Sequence, residues 1–530
     1  MMLRSYVISS VLLLATAFPV EAKDGPNILL VMVDDMGFSD LGCYGSSIDT
    51  PVLDGLAANG LRFSSFYNTG RCWSTRAALM TGVHQHQAGK AMSFGANAPR
   101  AYQGNIPRSL PFLSELLHTQ GYATYHLGKW HLNNRTNRIA ESWPLGRGFN
   151  RSYCIASQNN FFAPWTMRDE DEIIRRPKDR SQWPSDYYIT TALTDRAVEN
   201  LDEHFKVQGD TPFFMYLAHT APHFPLHAPQ ETIEKYLGTF KHGWDEERKR
   251  RLSYLESTGL VSGTLPERDE VVSAWETLTE NEKDQWDVRM AIHAAMIDIV
   301  DQQLGRVINK LRQHQALENT LILFLSDNGA SAEKLVRGDG HDPDALPGSG
   351  ETYLCLEAGW SNAANSPFRE HKMWMHEGGI STPLIVHWPK GVRKSGAISH
   401  QVGHVLDIVP TLAEVAGFDL PEHVHYQGSS LLRAIKKPQQ RDTRVLFWEH
   451  VGNKALRIGD LKIVQELGKP WELYNIAEDR TETNDLSQLL PTMLTSMVKF
   501  WDDTAREIGV VEWDRLEEFH PNYAKDYRRK

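Results

Sequence analysis

The chain has 530 residues, of which 41% are hydrophobic and 23% are charged. This composition excludes a mainly disordered protein, and the length predicts one large domain followed by a smaller one. The formal net charge of -11 argues against general binding to nucleic acid or to an anionic membrane, because phosphate groups would be repelled.

Residues 1–22 have the pattern of a secretory signal peptide. Arg4 supplies a positive charge, an apolar run extends from Tyr6 to Val20, and a small residue, Ala22, precedes the expected mature start near Lys23. The run is shorter than the roughly 20 residues that a spanning helix needs. We therefore expect an exported protein, periplasmic or secreted, with no membrane span after cleavage.

Short apolar segments alternate with helical patterns through about residue 420. The predicted strands are residues 27–33, 122–127, 212–217, 320–325 and 383–387. The predicted helices include 109–120, 407–416 and a long helix whose apolar face carries Met296, Val300, Leu304, Val307 and Leu311. This alternation predicts an α/β fold with helices on both faces of a sheet.

The charged, tryptophan-bearing segment 235–287 is interpreted as a solvated helical excursion, with a wall of the active-site mouth as the alternative. After about residue 425 the pattern changes to short strands at 445–450, 455–458 and 461–464 and a helix at 492–506. We therefore predict a catalytic domain over 23–424 and a smaller antiparallel α+β domain over 425–530.

Chemically active side chains follow four of the predicted strands. The residues are Asp34 and Asp35, then Lys129 and His131, then His219 and His223, then Asp327 and Asn328. Ligands of open α/β sheets bind at the carboxyl ends of strands, so we expect these residues to form one site. Each acidic pair alone is more often a turn or a helix cap. Together they offer four or more hard oxygen ligands, which suit calcium or magnesium better than zinc.

Lys129, His131, His223 and Lys372 add cations and proton carriers to this edge. A single lysine or histidine is usually a surface or structural residue, but four beside a hard metal indicate an anion-binding site with proton transfer. Cys72 precedes the helix-forming "STRAALMTG" and so begins a helix, where anions bind. A buried apolar thiol and a thiolate nucleophile remain alternatives for it.

These segments resemble the type I sulfatases of the alkaline phosphatase superfamily over nearly the whole mature chain. The family signature Cys-x-Pro/Ala-Ser/Thr-Arg stands here as Cys72-Trp73-Ser74-Thr75-Arg76, followed by a Leu-Thr-Gly-like end at Met80-Thr81-Gly82. Further matching segments, in order, are "NILLVMVDDMGFSDLGCYG", "GKWHL", "APHFPLHAP", "SDNGA" and "FREHKMWMHEGGISTPLIVHWP". The resemblance implies a large mixed, mostly parallel sheet sandwiched by helices, as in alkaline phosphatase.

The resemblance also implies the chemistry of the site. Cys72 would be oxidised to formylglycine by a maturation enzyme, and one hydroxyl of the hydrated aldehyde would attack sulfur. A calcium ion would be bound by Asp34, Asp35, Asp327 and Asn328 and would also contact position 72. The implied activity is hydrolysis of aryl or carbohydrate sulfates to an alcohol and inorganic sulfate.

The family's remaining site residues map onto matching positions of this chain. Arg76, Lys129 and Lys372 would bind the sulfate oxygens. His223, with Lys372, would protonate the leaving alcohol, His131 would take the proton of the second hydroxyl, and Asp327 would help to deprotonate the attacking one. His219 matches no role and is interpreted as structural.

Two alternatives to sulfate ester hydrolysis stay open. The pocket could serve a phosphoester or sulfonate hydrolase of the same superfamily. The second alternative is a catalytically silent sulfate-binding relative in which Cys72 stays unmodified, because Ser74 replaces the usual Pro or Ala of the maturation signature. For the sulfatase, the expected partners are a sulfated small molecule or glycan and the maturation enzyme, with specificity set by 133–165 and 235–287. Cys43, Cys154 and Cys355 could form at most one disulfide.

Overall fold

The computed structural model describes residues 25–133, 140–165, 167–170, 172–174, 183–338, 340–392, 395–439 and 441–519. The predicted signal peptide lies outside these residues. None of the helices within them combines the length and hydropathy that crossing a membrane requires.

The strands and helices alternate along the first 420 residues. The strands are β1 (Asn27–Val33), β2 (Leu61–Tyr67), β3 (Ala123–Lys129), β4 (Arg151–Ile155), β5 (Met167–Asp169), β6 (Glu172–Ile174), β7 (Phe213–Ala218), β8 (Thr320–Ser326), β9 (Ser381–His387), β10 (Ala397–Ser399), β11 (Gly403–His404), β12 (Val445–His450), β13 (Asn453–Ile458), β14 (Leu461–Gln465) and β15 (Glu472–Asn475). The α-helices are α1 (Pro51–Ala58), α2 (Cys72–Thr81), α3 (Leu113–Thr119), α4 (Ile189–Val207), α5 (Gln230–Tyr236), α6 (Gly243–Thr258), α7 (Glu280–Gln313), α8 (Glu357–Ala364), α9 (Glu377–Ile380), α10 (Ile408–Ala416), α11 (Leu432–Lys436), α12 (Pro491–Ile508) and α13 (Trp513–Leu516).

A large mixed sheet forms the centre of the molecule. Its strand order is β10-β2-β9-β8-β1-β7-β3-β4-β5-β6, with β11 paired to β2. The pairs β8-β1, β1-β7, β7-β3 and β3-β4 are parallel, whereas β9 runs antiparallel to both β8 and β2. The fold class predicted from sequence is confirmed.

Helices cover both faces of this sheet because its central strands are apolar on both sides. The even-numbered side chains of β1, from Ile28 to Met32, pack into one core with α2, α3 and α10. The odd-numbered ones, from Leu29 to Val33, pack into a second core with α1, α4, α7 and α8. A strand buried on both faces loses the polar alternation that would mark an exposed face, as expected for a parallel sheet.

The five predicted strands are all present, and the predicted helices need only changed boundaries. Helix α3 begins at Leu113 rather than at residue 109. Pro111 disfavours helical backbone at the residue before it, which delays the start of the helix. Strands β2 and β4 were not predicted, because Arg and Ser interrupt their apolar runs.

Segment 235–287 is only partly the solvated excursion that was predicted. Its helix α6 has exposed charged residues, but Trp244 and Trp275 are buried against Trp360 of α8, with ring centroids 5.7 Å apart in both pairs. Arg251 is fully buried and donates to Asp40 at 2.8 Å. The inner side of the segment therefore belongs to the core of the large domain.

The C-terminal part contains a second, antiparallel sheet in the order β12-β13-β14-β15. One face packs against α12, where Trp501 stacks on Phe447 at 5.2 Å between ring centroids. The other face packs against the large domain through Trp448, whose ring lies 5.3 Å from that of Tyr67. The boundary at 424/425 stays a prediction.

Buried ion pairs join the two sheets. Lys462 of β14 donates to Glu377 of α9 and to Glu482, each at 2.8 Å. Arg480 donates to the second oxygen of Glu377 at 2.5 Å, and Tyr67 donates to that oxygen at 2.9 Å. The carboxylate of Glu377 is therefore balanced by two cations from the C-terminal part of the chain.

All four cysteines are buried and free. The disulfide that sequence allowed among Cys43, Cys154 and Cys355 is not formed in the structure.

Candidate active site

The predicted site residues meet at the carboxyl edge of the large sheet. The parallel strands β1, β7, β8 and β3 end here, so Asp34, His223, Asp327 and Lys129 lie at or just beyond their last residues. Strand β9 runs the other way, so the segment before it, which carries Lys372, arrives at the same edge. Strand β2 also ends at this edge and leads within five residues to Cys72.

The acidic residues form a compact, buried cluster. Asp35 has a left-handed backbone, with φ of 65°, which turns the chain sharply after Asp34. Its side-chain Oδ1 accepts from Asn328 Nδ2 at 2.6 Å, and its backbone N–H donates to Asp327 Oδ1 at 3.4 Å. The turn therefore brings the two acidic pairs, from opposite ends of the chain, into contact.

Each carboxylate of the cluster is paired with one buried cation. Lys129 Nζ lies 2.5 Å from Asp34 Oδ2, and Lys372 Nζ donates to Asp35 Oδ2 at 2.8 Å. Arg76 donates to Asp327 Oδ2 from Nε at 2.9 Å and from Nη2 at 2.7 Å. The site thus combines three carboxylates with three cations out of contact with solvent.

Burial opposes ionisation of the acids. It raises the pKa of Asp34 to about 6, with a further increase from Asp327, although Lys129 and Arg76 act to lower it. It also raises the pKa of Asp35, against the effect of Lys372. For Lys372, burial lowers the pKa, but Asp35 and Glu333 outweigh it and hold the pKa above the ordinary lysine value.

The oxygen atoms of the cluster fit a hard divalent cation. Asp34 Oδ1 and Asn328 Oδ1 are buried, and no group among the described residues donates a hydrogen bond to either. Candidate ligand atoms of Asp34, Cys72 and Asp327 lie within 4.8 Å of one another, as do those of Asp34, Asp35 and His223. Carboxylate and amide oxygens of this kind are what calcium and magnesium prefer.

Cys72 is the first residue of α2, as predicted, and its side chain is buried. Burial raises the pKa of its thiol, and Lys129 and Lys372 reduce that increase without reversing it. A thiol with a raised pKa is neutral at physiological pH, so the site does not favour an ordinary thiolate nucleophile.

His223 lies between the acidic cluster and the cavity above it. Its Nδ1 is 2.6 Å from the carbonyl oxygen of Phe224, which can only accept, so Nδ1 carries the hydrogen of the neutral ring. Its Nε2 is 3.2 Å from Lys372 Nζ, 3.3 Å from Asp35 Oδ2 and 2.9 Å from Gln158 Nε2. Burial and then Lys372 keep its pKa well below the ordinary histidine value.

His131 reaches the same cavity from the end of β3 with a left-handed backbone, at φ of 56°. Its ring meets the ring of Trp73 edge to face, with centroids 5.5 Å apart. Burial, followed by the charges of Lys129 and Lys90, lowers its pKa well below the ordinary value. His131 is therefore a neutral ring that can accept a proton.

A cavity of about 330 Å³ lies over Cys72. Besides His131 and His223 it is lined by Ser157 and Gln158, which belong to the segment 133–165 that was predicted to set specificity. It is also lined by residues that the sequence did not single out, among them Arg71, Lys90, Glu333 and Arg337. A second cavity of about 140 Å³ shares Ser157, Gln158 and Arg337 with it and is lined also by Trp165 and Tyr353. None of the described residues lining either cavity comes from segment 235–287, so that segment does not wall this mouth.

Two features of the sequence could have located part of this lining. Glu333 follows Asp327 by six positions in "SDNGASAE", and Gln158 lies in the segment 133–165 that was predicted to set specificity. His219 follows β7 but does not line the cavity, and its two ring nitrogens have no hydrogen-bond partner among the described residues. The structure gives His219 no role in the site.

The fold and this site together define a hydrolase of the alkaline phosphatase-like fold. The chain belongs to the sulfatase family: the family model described as Sulfatase matches residues 26–418, and the model described as N-sulphoglucosamine sulphohydrolase, C-terminal, matches residues 369–495. The protein is a sulfuric ester hydrolase, as the sequence motifs predicted.

Similar proteins of known sequence are sulfatases from a yeast, a bacterium and mammals. An uncharacterized sulfatase of Schizosaccharomyces pombe is 30% identical over 93% of this chain and 96% of its own. The arylsulfatase of Klebsiella aerogenes is 29% identical over 77% of this chain and 90% of its own. The N-acetylgalactosamine-6-sulfatase of Mus musculus is 27% identical over 90% of this chain and 78% of its own.

Solved structures show the same fold. Ps i-CgsB in complex with k-i-k-neocarrahexaose matches with a TM-score of 0.68 and 25% identity, covering 96% of this chain and 98% of that chain. The phosphonate monoester hydrolase of Agrobacterium radiobacter matches with a TM-score of 0.58 and 19% identity, covering 91% of this chain and 96% of that chain. This second match shows a similar fold and nothing more.

Proposed function

We propose that this sulfatase hydrolyses aryl or carbohydrate sulfates to an alcohol and inorganic sulfate, using formylglycine made from Cys72 and one calcium ion. The observation that carries the proposal is the position of Cys72. It begins α2, is buried, and lies with Asp34 and Asp327 in a group whose candidate ligand atoms are within 4.8 Å of one another.

Asp34, Asp35, Asp327 and Asn328 would hold the calcium ion, with position 72 as a further ligand. Bound there, calcium would neutralise negative charge and align the reacting groups. The support is chemical: two oxygens of this set, on Asp34 and Asn328, have no hydrogen-bond donor within the described part of the chain. Formylglycine, once hydrated, would supply a hydroxyl nucleophile and a second hydroxyl for release of sulfate.

Arg76, Lys129 and Lys372 would bind the sulfate oxygens. All three cations are buried and fixed by partners, since Arg76 is held by Asp327 and by the backbone oxygen of Lys129 at 2.9 Å. Fixed cations in a dry site stabilise the charge that develops on these oxygens without having to reorganise.

Proton transfer would be divided between two histidines and one carboxylate. Lys372, which stays protonated and lies 3.2 Å from the neutral ring's Nε2, would supply a proton that His223 passes to the leaving alcohol. His131 would accept the proton of the second hydroxyl. Asp327 would help to deprotonate the attacking hydroxyl. The low pKa of His131 supports the role of acceptor, because the ring is neutral before the reaction.

The cellular setting follows from the same proposal. We expect an exported protein, periplasmic or secreted, that meets a maturation enzyme before it folds and a sulfated small molecule or glycan afterwards. Ser74, in the position where Pro or Ala is usual, lowers the efficiency of maturation in this proposal. Its side chain is buried and faces Ala91 O at 3.4 Å, so it does not reach the calcium ligands.

The test combines mass spectrometry with turnover. The protein is produced with a formylglycine-generating enzyme, and the peptide containing Cys72 is examined for conversion of thiol to aldehyde. Rates are then compared on 4-nitrophenyl sulfate, 4-nitrophenyl phosphate and a phenyl phosphonate ester. Aldehyde with faster sulfate release supports the proposal. Faster phosphate or phosphonate turnover, or a thiol that stays unmodified, contradicts it in favour of the two alternatives.

A further inference from the structure

Glu333 places a carboxylate in the wall of the catalytic cavity, where a sulfatase would be expected to present cations. Its side chain is 7% exposed, and it lines the same cavity as Cys72, His131 and His223. Neither the proposed calcium set nor the proposed proton transfers use it.

The two oxygens of Glu333 have different surroundings. Oε2 accepts from Ser331 Oγ at 2.9 Å and lies 3.2 Å from Lys372 Nζ and 3.6 Å from Arg71 Nη1. Oε1 is buried and has no hydrogen-bond donor among the residues that the structure describes, and Arg337 Nη2 is 3.8 Å away. One oxygen is thus hydrogen-bonded within the protein, and the other has no donor in the part of the chain that the structure describes.

The carboxylate is ionised. Burial raises its pKa, but Lys372, Arg71 and Arg337 outweigh burial and lower the pKa to about 2. A buried, ionised oxygen without a donor is unfavourable, so a ligand that donates to it gains affinity. An ionised carboxylate can only accept, which limits the ligand group to a hydroxyl or an N–H.

We infer that Glu333 Oε1 accepts a hydrogen bond from a hydroxyl or amide N–H on the alcohol part of the substrate, and that this alcohol is a sugar rather than a phenol. The inference rests on the proposed function. Glu333 is the carboxylate that contacts Lys372. If Lys372 binds the sulfate, Glu333 Oε1 therefore lies next to the carbon that bears the sulfate ester. A sugar has a hydroxyl or acetamido group on the neighbouring carbon, whereas the phenyl ring of a simple aryl sulfate has no donor there.

The same carboxylate discriminates against some sugars. A second sulfate or a carboxylate at the neighbouring position would meet Glu333 as a like charge in a buried site. The preferred substrate therefore carries an uncharged donor beside the scissile sulfate.

The experiment uses the matured full chain, with aldehyde at position 72 verified by mass spectrometry. Probes are 4-nitrophenyl sulfate, a panel of monosulfated hexoses and N-acetylhexosamines, and the deoxy analogue of the best sugar that lacks the neighbouring donor. Glu333→Gln removes the negative charge. Glu333→Asp keeps the negative charge near Lys372, but its shorter side chain moves the acceptor oxygen away from the substrate. Glu478→Gln, an exposed residue of the C-terminal part, is the control.

We expect the wild-type protein to prefer a sugar sulfate, and the ratio of its kcat/KM on sugar to that on aryl sulfate to fall by about 10- to 100-fold in both Glu333 variants. In the wild type, kcat/KM on the deoxy sugar should be lower than on the parent sugar by a similar factor. In the Glu333 variants this difference should be much smaller, because the substitution has already removed the hydrogen bond that the deoxy sugar lacks.

An equal loss on sugar and aryl sulfates would show that Glu333 only positions Lys372, and it would overturn the inference while leaving the proposed function intact. A wild type that prefers aryl sulfate would do the same. Matured protein that releases sulfate from no probe would overturn both.

Discussion

Arg76 donates two hydrogen bonds, from Nε at 2.9 Å and Nη2 at 2.7 Å, to a single oxygen of Asp327. The residues lie 251 positions apart, on α2 and directly after β8. Cys72 precedes Arg76 by one helical turn, so this pair fixes the start of α2 against the acidic cluster. The position of Cys72 is therefore set by a buried ion pair rather than by a loop.

Replacing Cys72 by Ala should abolish turnover without unfolding the protein. The change removes the group from which the nucleophile is proposed to be made, so kcat should fall by about 10⁴-fold or more. Sulfate release and the far-ultraviolet circular dichroism spectrum measure the two effects. Cys43→Ala, at another buried free cysteine, should keep its activity. Turnover that survives in the Cys72 variant would place the nucleophile elsewhere.

Replacing Lys129 by Ala should raise KM and lower kcat together. Lys129 is proposed to contact sulfate in the ground state and the transition state, so kcat/KM should fall by about 10²- to 10³-fold. The change also leaves the Asp34 carboxylate without the cation now 2.5 Å away, which raises its pKa further. Steady-state kinetics on 4-nitrophenyl sulfate measure the effect, and unchanged constants would remove Lys129 from the site.

Removal of calcium should lower thermal stability as well as activity. A ligand that binds only the folded protein stabilises it by about 2.7 kcal/mol at 100 times its Kd. Dialysis against EDTA should lower the unfolding temperature, and calcium should restore it. Asn328→Ala should lose this calcium-dependent shift, whereas Asp502→Asn, on the exposed side of α12, should retain it. A shift that Asn328→Ala leaves unaltered would place the ion at another site.

Substrate affinity should fall above about pH 8 because of Lys90. This lysine lines the cavity and donates to the backbone oxygens of Gly104 and Asn133 at 3.1 and 2.9 Å. Burial lowers its pKa to about 8, so its positive charge is present below that pH and is lost as the pH rises through it. An anionic substrate then meets one cation fewer, and KM increases.

Matched substitutions test this assignment. Lys90→Arg keeps a positive charge to much higher pH, so the rise of KM should move to higher pH in that variant. Lys90→Met should have a higher KM than the wild type below about pH 8, a similar KM above it, and no rise near pH 8. A profile of KM against pH that all three proteins share would assign the titration to another group.

The sequence predicted the catalytic edge because its residues directly follow apolar strands. Asp34 and Asp327 come immediately after β1 and β8, where parallel neighbours must bring them together. The same logic could not place Lys372, since β9 is antiparallel and the order of strands does not follow from local patterns. Lys372 was included in the site as a further cation of the segment "FREHKMWMHEGG", and its role in binding sulfate came from the resemblance to sulfatases.

The lining of the cavity was beyond sequence reasoning for a different reason. Glu333 and Lys90 look like ordinary surface residues in the sequence, and only the folded chain buries them beside Cys72. Burial of the inner side of α6 was missed likewise, because the partner of Arg251 is Asp40, 211 residues away. Contacts over such separations are set by the packing of whole layers.

The buried ion pairs of Lys462 have a consequence for how the chain can be divided. Glu377 belongs to the large sheet's side, yet both cations that hold its carboxylate come from beyond β13. A shortened chain that ends before residue 425 would lack Lys462 and Arg480, so the buried carboxylate of Glu377 would have no counterion. We therefore expect that the large domain does not fold without the C-terminal part, and that heating unfolds both parts in a single cooperative transition.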